Sequence, residues 1–218
     1  MKIAIGNNLH HGPWGGGNQF LKALSYSLKD GAHEVFFNLN SSDLDIILLT
    51  EPRAELRSSA FTDQEINIYL NSVNSNTIVV HRINECDERK GTSGVNQRIM
   101  WANRCADYTV FVSSWLRNLY LEKWGWQSKE RSTVILNGSD QEIFNLENRL
   151  IWEPSKKMKI VTHHWGNDWR KGFDIYKKLD QMLGDPEWSK HFSFTYIGRL
   201  PDGFSFKNSN YLEPLSGK

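Results

Sequence analysis

Short apolar runs alternate along the chain with segments whose apolar residues recur at helical spacing. A first strand is predicted over 1–6, and the helix after it places Phe20, Leu21, Leu24 and Leu28 on one face. Further strands are predicted at 34–38, 45–50, 77–81, 108–112 and 133–136. Strands that alternate with helices are typical of a parallel sheet covered by helices. The pattern therefore predicts an α/β fold, a Rossmann-like parallel sheet with helices on both faces.

Residues with known capping preferences mark several helix ends. Gly31 is predicted to end the first helix as a left-handed cap. Thr62 is predicted to begin the next, because Glu65 three residues later completes a capping box. Another helix is predicted over 95–105, and Ser113 or Ser114 is expected to cap one that runs to about residue 124.

A polar stretch at 153–157 separates two α/β segments. A new strand is predicted from Met158, then a helix over 170–183 and a strand over 192–197. The sequence therefore predicts two domains, a Rossmann-like domain over 1–153 and a second Rossmann-like domain over 154–218. Because so short an α/β segment can hardly cover both faces of its sheet, we expect this second domain to be incomplete.

Composition narrows the class of protein. The 26 basic and 25 acidic residues give a formal charge of +1, which argues against nucleic acid as a partner. Cys86 and Cys105 form neither a disulfide framework nor a metal pattern, which favours a reducing compartment. No signal peptide is recognised, and no apolar run approaches the roughly 18 residues of a membrane span. We therefore expect a cytoplasmic protein.

A glycine-rich loop, residues 12–18, connects the first strand to the first helix. Gly15, Gly16 and Gly17 allow backbone amides to approach an anion at a helix N-terminus, which predicts a phosphate or diphosphate cradle. A tight strand-to-helix turn is the alternative. The loop fits neither the Gly-x-Gly-x-x-Gly nor the P-loop pattern, which weakens an NAD-dependent oxidoreductase or P-loop interpretation.

Eight of the ten residues from His81 to Lys90 are polar, directly after a predicted strand. Ligands bind at the carboxyl ends of strands in open α/β sheets. These carboxylates, cations and histidine could orient sugar hydroxyls and stabilise a leaving diphosphate. A solvated loop with local ion pairs is the alternative, and no spacing typical of metal ligands follows.

Arg170 and Lys171 are predicted on the first turn of a helix. Cations there oppose the helix dipole, so an anionic ligand would explain them better than stability does. His163 and His164 are adjacent, and neighbouring residues on a strand point to opposite faces, which argues against a shared metal ion.

Four segments in this order resemble the family-4 glycosyltransferases, which have the GT-B fold. They are Gly15–Gly17, Ala106–Leu116, Val134–Asp140 with Phe144, and Lys171–Gly172. The resemblance implies two Rossmann-like domains that face a cleft, with the acceptor on the N-terminal side and a nucleotide-diphosphate sugar as donor. It also implies retention of anomeric configuration, with no cofactor and no required metal, and a glycan, lipid or small-molecule acceptor.

The resemblance also assigns roles to residues. Lys171, with Arg170 and the glycines at 15–17, would contact the donor diphosphate. His81 would lie near the reacting sugar, with Asn84 as a rival for that catalytic position. Arg82, Asp87 and Arg89 of the polar loop are expected on the acceptor side or in the cleft.

Two features depart from the family pattern. A Gly-Arg pair before the lysine is replaced by Trp165-Gly166, so Arg170 or His164 would have to substitute, although Gly198-Arg199 follows the next strand. The family's Glu-x7-Glu segment is not found in the sequence. We therefore expect little or no transferase activity from this chain.

Other interpretations stay open. The chain could be a non-catalytic module that binds sugar nucleotides or glycans. The segment Trp115–Trp124 carries aromatics and cations that could make a weak peripheral contact with a membrane, although Leu116, Leu119 and Tyr120 are better explained by packing on the sheet. The oligomeric state is not predicted.

Overall fold

A parallel sheet of six strands organises the first part of the chain in the computed structural model, which describes residues 1–12, 14–126, 131–147 and 149–215. The strands are β1 (Lys2–Ile5), β2 (Glu34–Phe36), β3 (Ile46–Leu49), β4 (Ile78–Ile83), β5 (Tyr108–Phe111) and β6 (Ser132–Val134). Their order is β2-β1-β3-β4-β5-β6, and every neighbouring pair is parallel. The predicted α/β fold class is confirmed.

Helices cover both faces of this sheet. They are α1 (Gly16–Asp30), α2 (Asp63–Ser72), α3 (Asp87–Lys90), α4 (Val95–Ala102) and α5 (Ser114–Asn118), which continues as a π-helical turn over Leu119–Lys123. Ile3 and Ile5 of β1 pack with Leu21 of α1, whereas Ala4 belongs to the cluster of Ile66 on α2. Because successive strand residues point to opposite faces, β1 is buried on both sides.

The predicted helix starts are confirmed at two positions. The Glu65 carboxylate accepts hydrogen bonds from the Thr62 backbone N–H at 2.7 Å and from its hydroxyl at 2.9 Å. The Ser113 hydroxyl accepts from the Leu116 N–H at 3.1 Å. Leu116 and Tyr120 are buried and Leu119 is partly buried against the sheet, so the packing interpretation of this segment is confirmed.

The prediction of a left-handed cap at Gly31 is wrong. The Gly31 N–H still donates to the Ser27 carbonyl at 3.0 Å, so helical hydrogen bonding continues through this residue. The chain reverses one residue later, at Ala32, whose φ is +58°. A left-handed alanine costs about 1 kcal/mol, which a glycine at that position would avoid.

The second part of the chain contains a three-stranded parallel sheet in the order β7-β8-β9. Its strands are β7 (Met158–His164), β8 (Phe192–Gly198) and β9 (Asn210–Leu212), and its helices are α6 (Phe173–Leu183) and α7 (Pro186–Ser189). Phe173, Phe194 and Tyr196 form the centre of an aromatic core between α6 and β8.

The chain divides into two units by its internal packing. The first comprises Met1–Leu9 and Gln19–Ser139, and the second comprises His10–Asn18 and Asp140–Lys218. The described residues from 140 to 157 form no helix or strand. The domain boundary predicted at 153 falls inside that irregular stretch and stays a prediction.

Both cysteines are free thiols, with Cys86 buried and Cys105 half-buried. Burial raises the pKa of Cys105 to about 12, so this thiol is protonated at neutral pH. Within the described ranges, no helix is long and apolar enough to cross a membrane.

Candidate functional site

The carboxyl ends of β3 and β4 lie side by side in the first unit, because the two strands are parallel and paired. A cavity of about 10 Å³, enough for about one water molecule, opens between the residues that follow these strands. Its walls come from Thr50–Arg53, from His81–Glu85 and from Ile99. The structure thus places the predicted polar loop at a sheet edge, where open α/β sheets bind ligands.

His81 is part of β4 and is almost completely buried, with 1% of its surface exposed. Its Nδ1 lies 2.9 Å from the Asn103 Oδ1, which also accepts a hydrogen bond from the Thr109 hydroxyl at 3.0 Å. Because Asn103 Oδ1 can only accept, the imidazole proton lies on Nδ1. Burial lowers the pKa of His81 to about 4, so the ring is neutral at neutral pH.

Arg82, the next residue of β4, is also buried, with 7% of its surface exposed. One guanidinium nitrogen donates to the Asn137 Oδ1 at 2.9 Å, and Cζ lies 3.7 Å from the centre of the Phe20 ring. Burial lowers the pKa of Arg82 to about 10, which still leaves the group charged at neutral pH. Asn137, from the segment Val134–Asp140, therefore contributes an amide that holds this cation.

Two carboxylates of the cavity wall are already neutralised by cations. Glu51 accepts two hydrogen bonds from Arg53, at 2.7 and 2.8 Å, in a bidentate pair. Glu85 forms an ion pair with Lys90. Glu51 and Arg53 were not predicted from the sequence, although they are the first charged residues after the apolar strand β3, where ligands bind in open α/β sheets.

Asn84 and Arg89, two further predicted residues of the polar loop, contact each other through the Asn84 backbone. Asn84 follows β4 on the cavity wall, and its carbonyl accepts a hydrogen bond from Arg89 at 3.0 Å. Arg89 itself is exposed. The Arg89 guanidinium therefore supports the backbone of the loop at Asn84.

Asp87 is committed to the backbone of a following helix. Its carboxylate accepts hydrogen bonds from the N–H groups of Val95 at 3.2 Å and Asn96 at 3.0 Å, and from the Thr92 hydroxyl at 2.8 Å. These bonds hold the pKa of Asp87 below its usual range against the opposing effect of burial. The geometry shows this carboxylate capping α4; its expected place on the acceptor side stays a prediction.

The glycine-rich loop leads directly into α1, which begins at Gly16. Asn18 closes the loop, since its side chain both accepts from the His10 N–H and donates to the His10 carbonyl, each at 2.9 Å. Neither Gly16 nor Gly17 has a heavy atom within 4 Å of the position a Cβ would take. The space that a Cβ would take is therefore open at Gly16 and Gly17, whereas at Gly15 it lies 3.2 Å from the Trp165 ring, and the anion cradle stays a prediction.

Arg170 and Lys171 do not lie on the first turn of an α-helix as predicted. They belong to a 3-10 turn, Trp169–Lys171, and α6 begins only at Phe173. Gly172 lies between the 3-10 turn and α6, and its φ of +101° is a left-handed conformation that separates the two. Both cations are exposed in the loop that follows β7.

His164, at the end of β7, lies near Lys171. The Tyr176 hydroxyl donates to the Lys171 carbonyl at 2.8 Å and lies 2.6 Å from the His164 Nε2. Burial, and after it the positive charge of Lys171, lower the pKa of His164. The structure therefore brings Lys171 close to His164, which with Arg170 is one of the two residues expected to replace the missing arginine contact.

Arg199 belongs to the Gly198-Arg199 pair, which lies at the end of the strand after the Trp165-Gly166 segment. His164 of β7 pairs with Gly198 of β8, so the residues that follow them are neighbours. The Arg199 guanidinium lies 4.0 Å from the centre of the Trp165 ring, which also stacks on Trp14. Strand register thus supplies an arginine beside the Trp165-Gly166 pair.

In the part of the chain that the structure describes, no group of three or more His, Cys, Asp or Glu side chains is arranged to hold a metal ion.

Comparison with known proteins adds information on the fold. No protein-family model and no curated protein matches the sequence. Among solved structures, the chain is similar to an alpha-glucosyltransferase in complex with UDP-glucose and DNA containing an abasic site, with a TM-score of 0.50 and 15% sequence identity. The fold is glycosyltransferase-like. The match covers 97% of this chain and 66% of the other, so the chain spans slightly less than two thirds of the length of that protein.

Proposed function

We propose that this chain belongs to a glycosyltransferase that transfers a sugar from a nucleotide-diphosphate sugar to a glycan, lipid or small-molecule acceptor. The observation that carries the proposal is the polar wall at the carboxyl ends of β3 and β4, where β4 directs the buried neutral His81 imidazole to one face of the sheet and the buried Arg82 guanidinium to the other. The glycosyltransferase-like fold supports it, since the solved structure with that fold contains UDP-glucose.

Each unit contains cations of the kind that suits a diphosphate leaving group. Breaking the bond between sugar and diphosphate develops negative charge on phosphate oxygens, which fixed cations stabilise. The first unit offers Arg82 at its sheet edge, and the second offers Arg170 and Lys171 in the loop after β7. Guanidinium and ammonium groups can neutralise a diphosphate in place of a divalent metal, so the proposal includes metal-independent transfer. Retention of configuration is proposed from the family resemblance alone.

Calorimetric titration with UDP-, GDP- and ADP-sugars tests the proposal on the purified chain. Transfer is then followed as release of nucleoside diphosphate, with and without EDTA, and the anomeric configuration of the product is read by NMR. Binding with turnover that survives EDTA supports the full proposal. Turnover that EDTA abolishes contradicts the metal-independent part.

Because little or no turnover is expected from this chain, binding without turnover fits both the glycosyltransferase and a non-catalytic module that binds sugar nucleotides, and turnover is the result that separates them. Absence of binding to every nucleotide sugar would contradict both functions.

The solved neighbour also contains DNA. The formal charge of +1 favours an acceptor other than nucleic acid, and a gel-shift titration with duplex DNA at low salt checks this expectation.

A further inference from the structure

Arg82 stands out among the buried charged groups of the first unit because no carboxylate pairs with it in the described residues. Its polar contact is a single hydrogen bond to the neutral Asn137 side chain, and its other contact is the face of Phe20. A guanidinium has five N–H donors, so most of its donors have no protein acceptor there.

Other arginines near the same edge are paired. Arg53 is held by Glu51 through two hydrogen bonds, and Arg98 forms an ion pair with Asp63. Burial lowers the pKa of Arg82 with no compensating carboxylate, whereas hydrogen bonding to Glu51 raises the pKa of Arg53. In the described residues, Arg82 therefore lacks the carboxylate partner that Arg53 and Arg98 have.

The surrounding cavity cannot supply the missing negative charge from its own wall. Its two carboxylates, Glu51 and Glu85, are each engaged by another cation, and burial keeps His81 neutral. The wall thus retains one uncompensated positive charge at the carboxyl end of β4. Buried charges in proteins are normally paired or hydrogen-bonded, so a ligand is the natural source of the counter-charge.

We propose that the Arg82 guanidinium, held in position by the Phe20 ring and the Asn137 amide, binds a phosphate-type oxyanion at this edge of the first sheet, with one phosphate oxygen in the water-sized cavity. A guanidinium matches two phosphate oxygens in a bidentate arrangement, which suits this group better than an ammonium. The inference rests on the proposed function for the identity of its ligand. The phosphate belongs either to the diphosphate of the nucleotide sugar or to a phosphate on the acceptor.

Titration of the 218-residue chain with UDP and with glucose 6-phosphate, as separate probes, tests the inference. Arg82→Met removes the cation and keeps the side-chain length, and Arg104→Met removes an equal charge from an exposed position as the control. We expect Arg82→Met to weaken one of the two probes about tenfold or more, with Arg104→Met unchanged. Loss of UDP binding identifies the donor diphosphate, and loss of glucose 6-phosphate binding identifies an acceptor phosphate.

The inference is overturned if the wild type and Arg82→Met bind both probes equally well. It is also overturned if the wild type binds neither UDP nor glucose 6-phosphate. If the wild type still binds UDP-glucose while Arg82→Met has no effect, only the assignment of Arg82 fails. If Arg82-dependent phosphate binding occurs without nucleotide-sugar binding, only the proposed function fails. Should Arg82→Met not fold, Arg82→Lys keeps the charge without the bidentate geometry, and an unchanged affinity in that variant also overturns the inference.

Discussion

Acidification should destabilise the protein through a single buried imidazole. His81 is 1% exposed and donates its Nδ1 proton to the Asn103 Oδ1. Burial lowers its pKa from 6.5 to about 4, and the nearby Asp63 and Arg98 act in opposite directions with smaller effects. The perturbation is a change from pH 7.5 to pH 5.0, applied to the wild type and to His81→Gln.

The sign and size follow from linkage between protonation and folding. Between the unfolded pKa of 6.5 and the folded value of about 4, the unfolded chain binds a proton that the folded chain does not. Stability is therefore full above pH 6.5 and is lost as the pH falls toward 4. Each pKa unit corresponds to roughly 1.4 kcal/mol, so the full effect is about 3 kcal/mol, of which about 2 kcal/mol is lost by pH 5.0.

Urea unfolding followed by far-ultraviolet circular dichroism at the two pH values measures this loss. Glutamine can still donate a hydrogen bond to Asn103 but does not titrate. We expect the free energy of unfolding of the wild type to fall by about 2 kcal/mol more than that of His81→Gln. His11→Gln, which changes an exposed histidine, is the matched control and should keep the pH dependence of the wild type.

Parallel pH dependence in the wild type and His81→Gln would refute the argument. It would mean that the folded protein protonates His81 as easily as the unfolded chain does. If His81 is neutral at pH 7, it has no imidazolium proton to donate as a general acid. The same measurement therefore constrains the catalytic role that the sequence predicts for His81.

Three further changes should alter stability, each measurable by urea unfolding. Asp87→Ala removes the cap of α4 and should cost about 2 kcal/mol; an unchanged midpoint would show that the cap is dispensable. Gly198→Ala places a Cβ 2.1 Å from the His164 carbonyl oxygen and should lower the free energy of unfolding by about 3 kcal/mol or more. Gly203→Ala is the control, since Gly203 also has positive φ but open space around it, and should cost about 1 kcal/mol. Equal costs would contradict the steric explanation. Asp180→Ala removes the carboxylate that accepts hydrogen bonds from three backbone N–H groups in the loop before β9, and should lower the free energy of unfolding by about 2 kcal/mol or more. Backbone hydrogen exchange at 207–209 should become faster. Unchanged exchange there would show that these hydrogen bonds do not hold the loop.

Local sequence signals were sufficient for the order of elements and for several of their ends. The alternation of apolar runs and helical periodicity predicted the parallel sheet, because burial on two faces requires those patterns. The cap at Ser113 and the Thr62–Glu65 contact were also predictable, since each joins atoms three residues apart. Gly31 shows the limit of such rules, because the helix continued by one hydrogen bond before the chain reversed at Ala32.

The candidate site depended on partners that are distant along the chain. The sequence by itself determined that a cluster of charged residues follows β4, and the predicted neighbours included Arg82 and Asp87. Only the tertiary structure decided that Asp87 caps α4 and that Arg82 meets Asn137, 55 residues away, with no carboxylate beside it among the described residues. It also placed Arg199 beside Trp165 through strand register. The physical reason is that periodicity and capping report contacts within a few residues, whereas the charge balance of a buried group depends on which distant segments the fold brings to it.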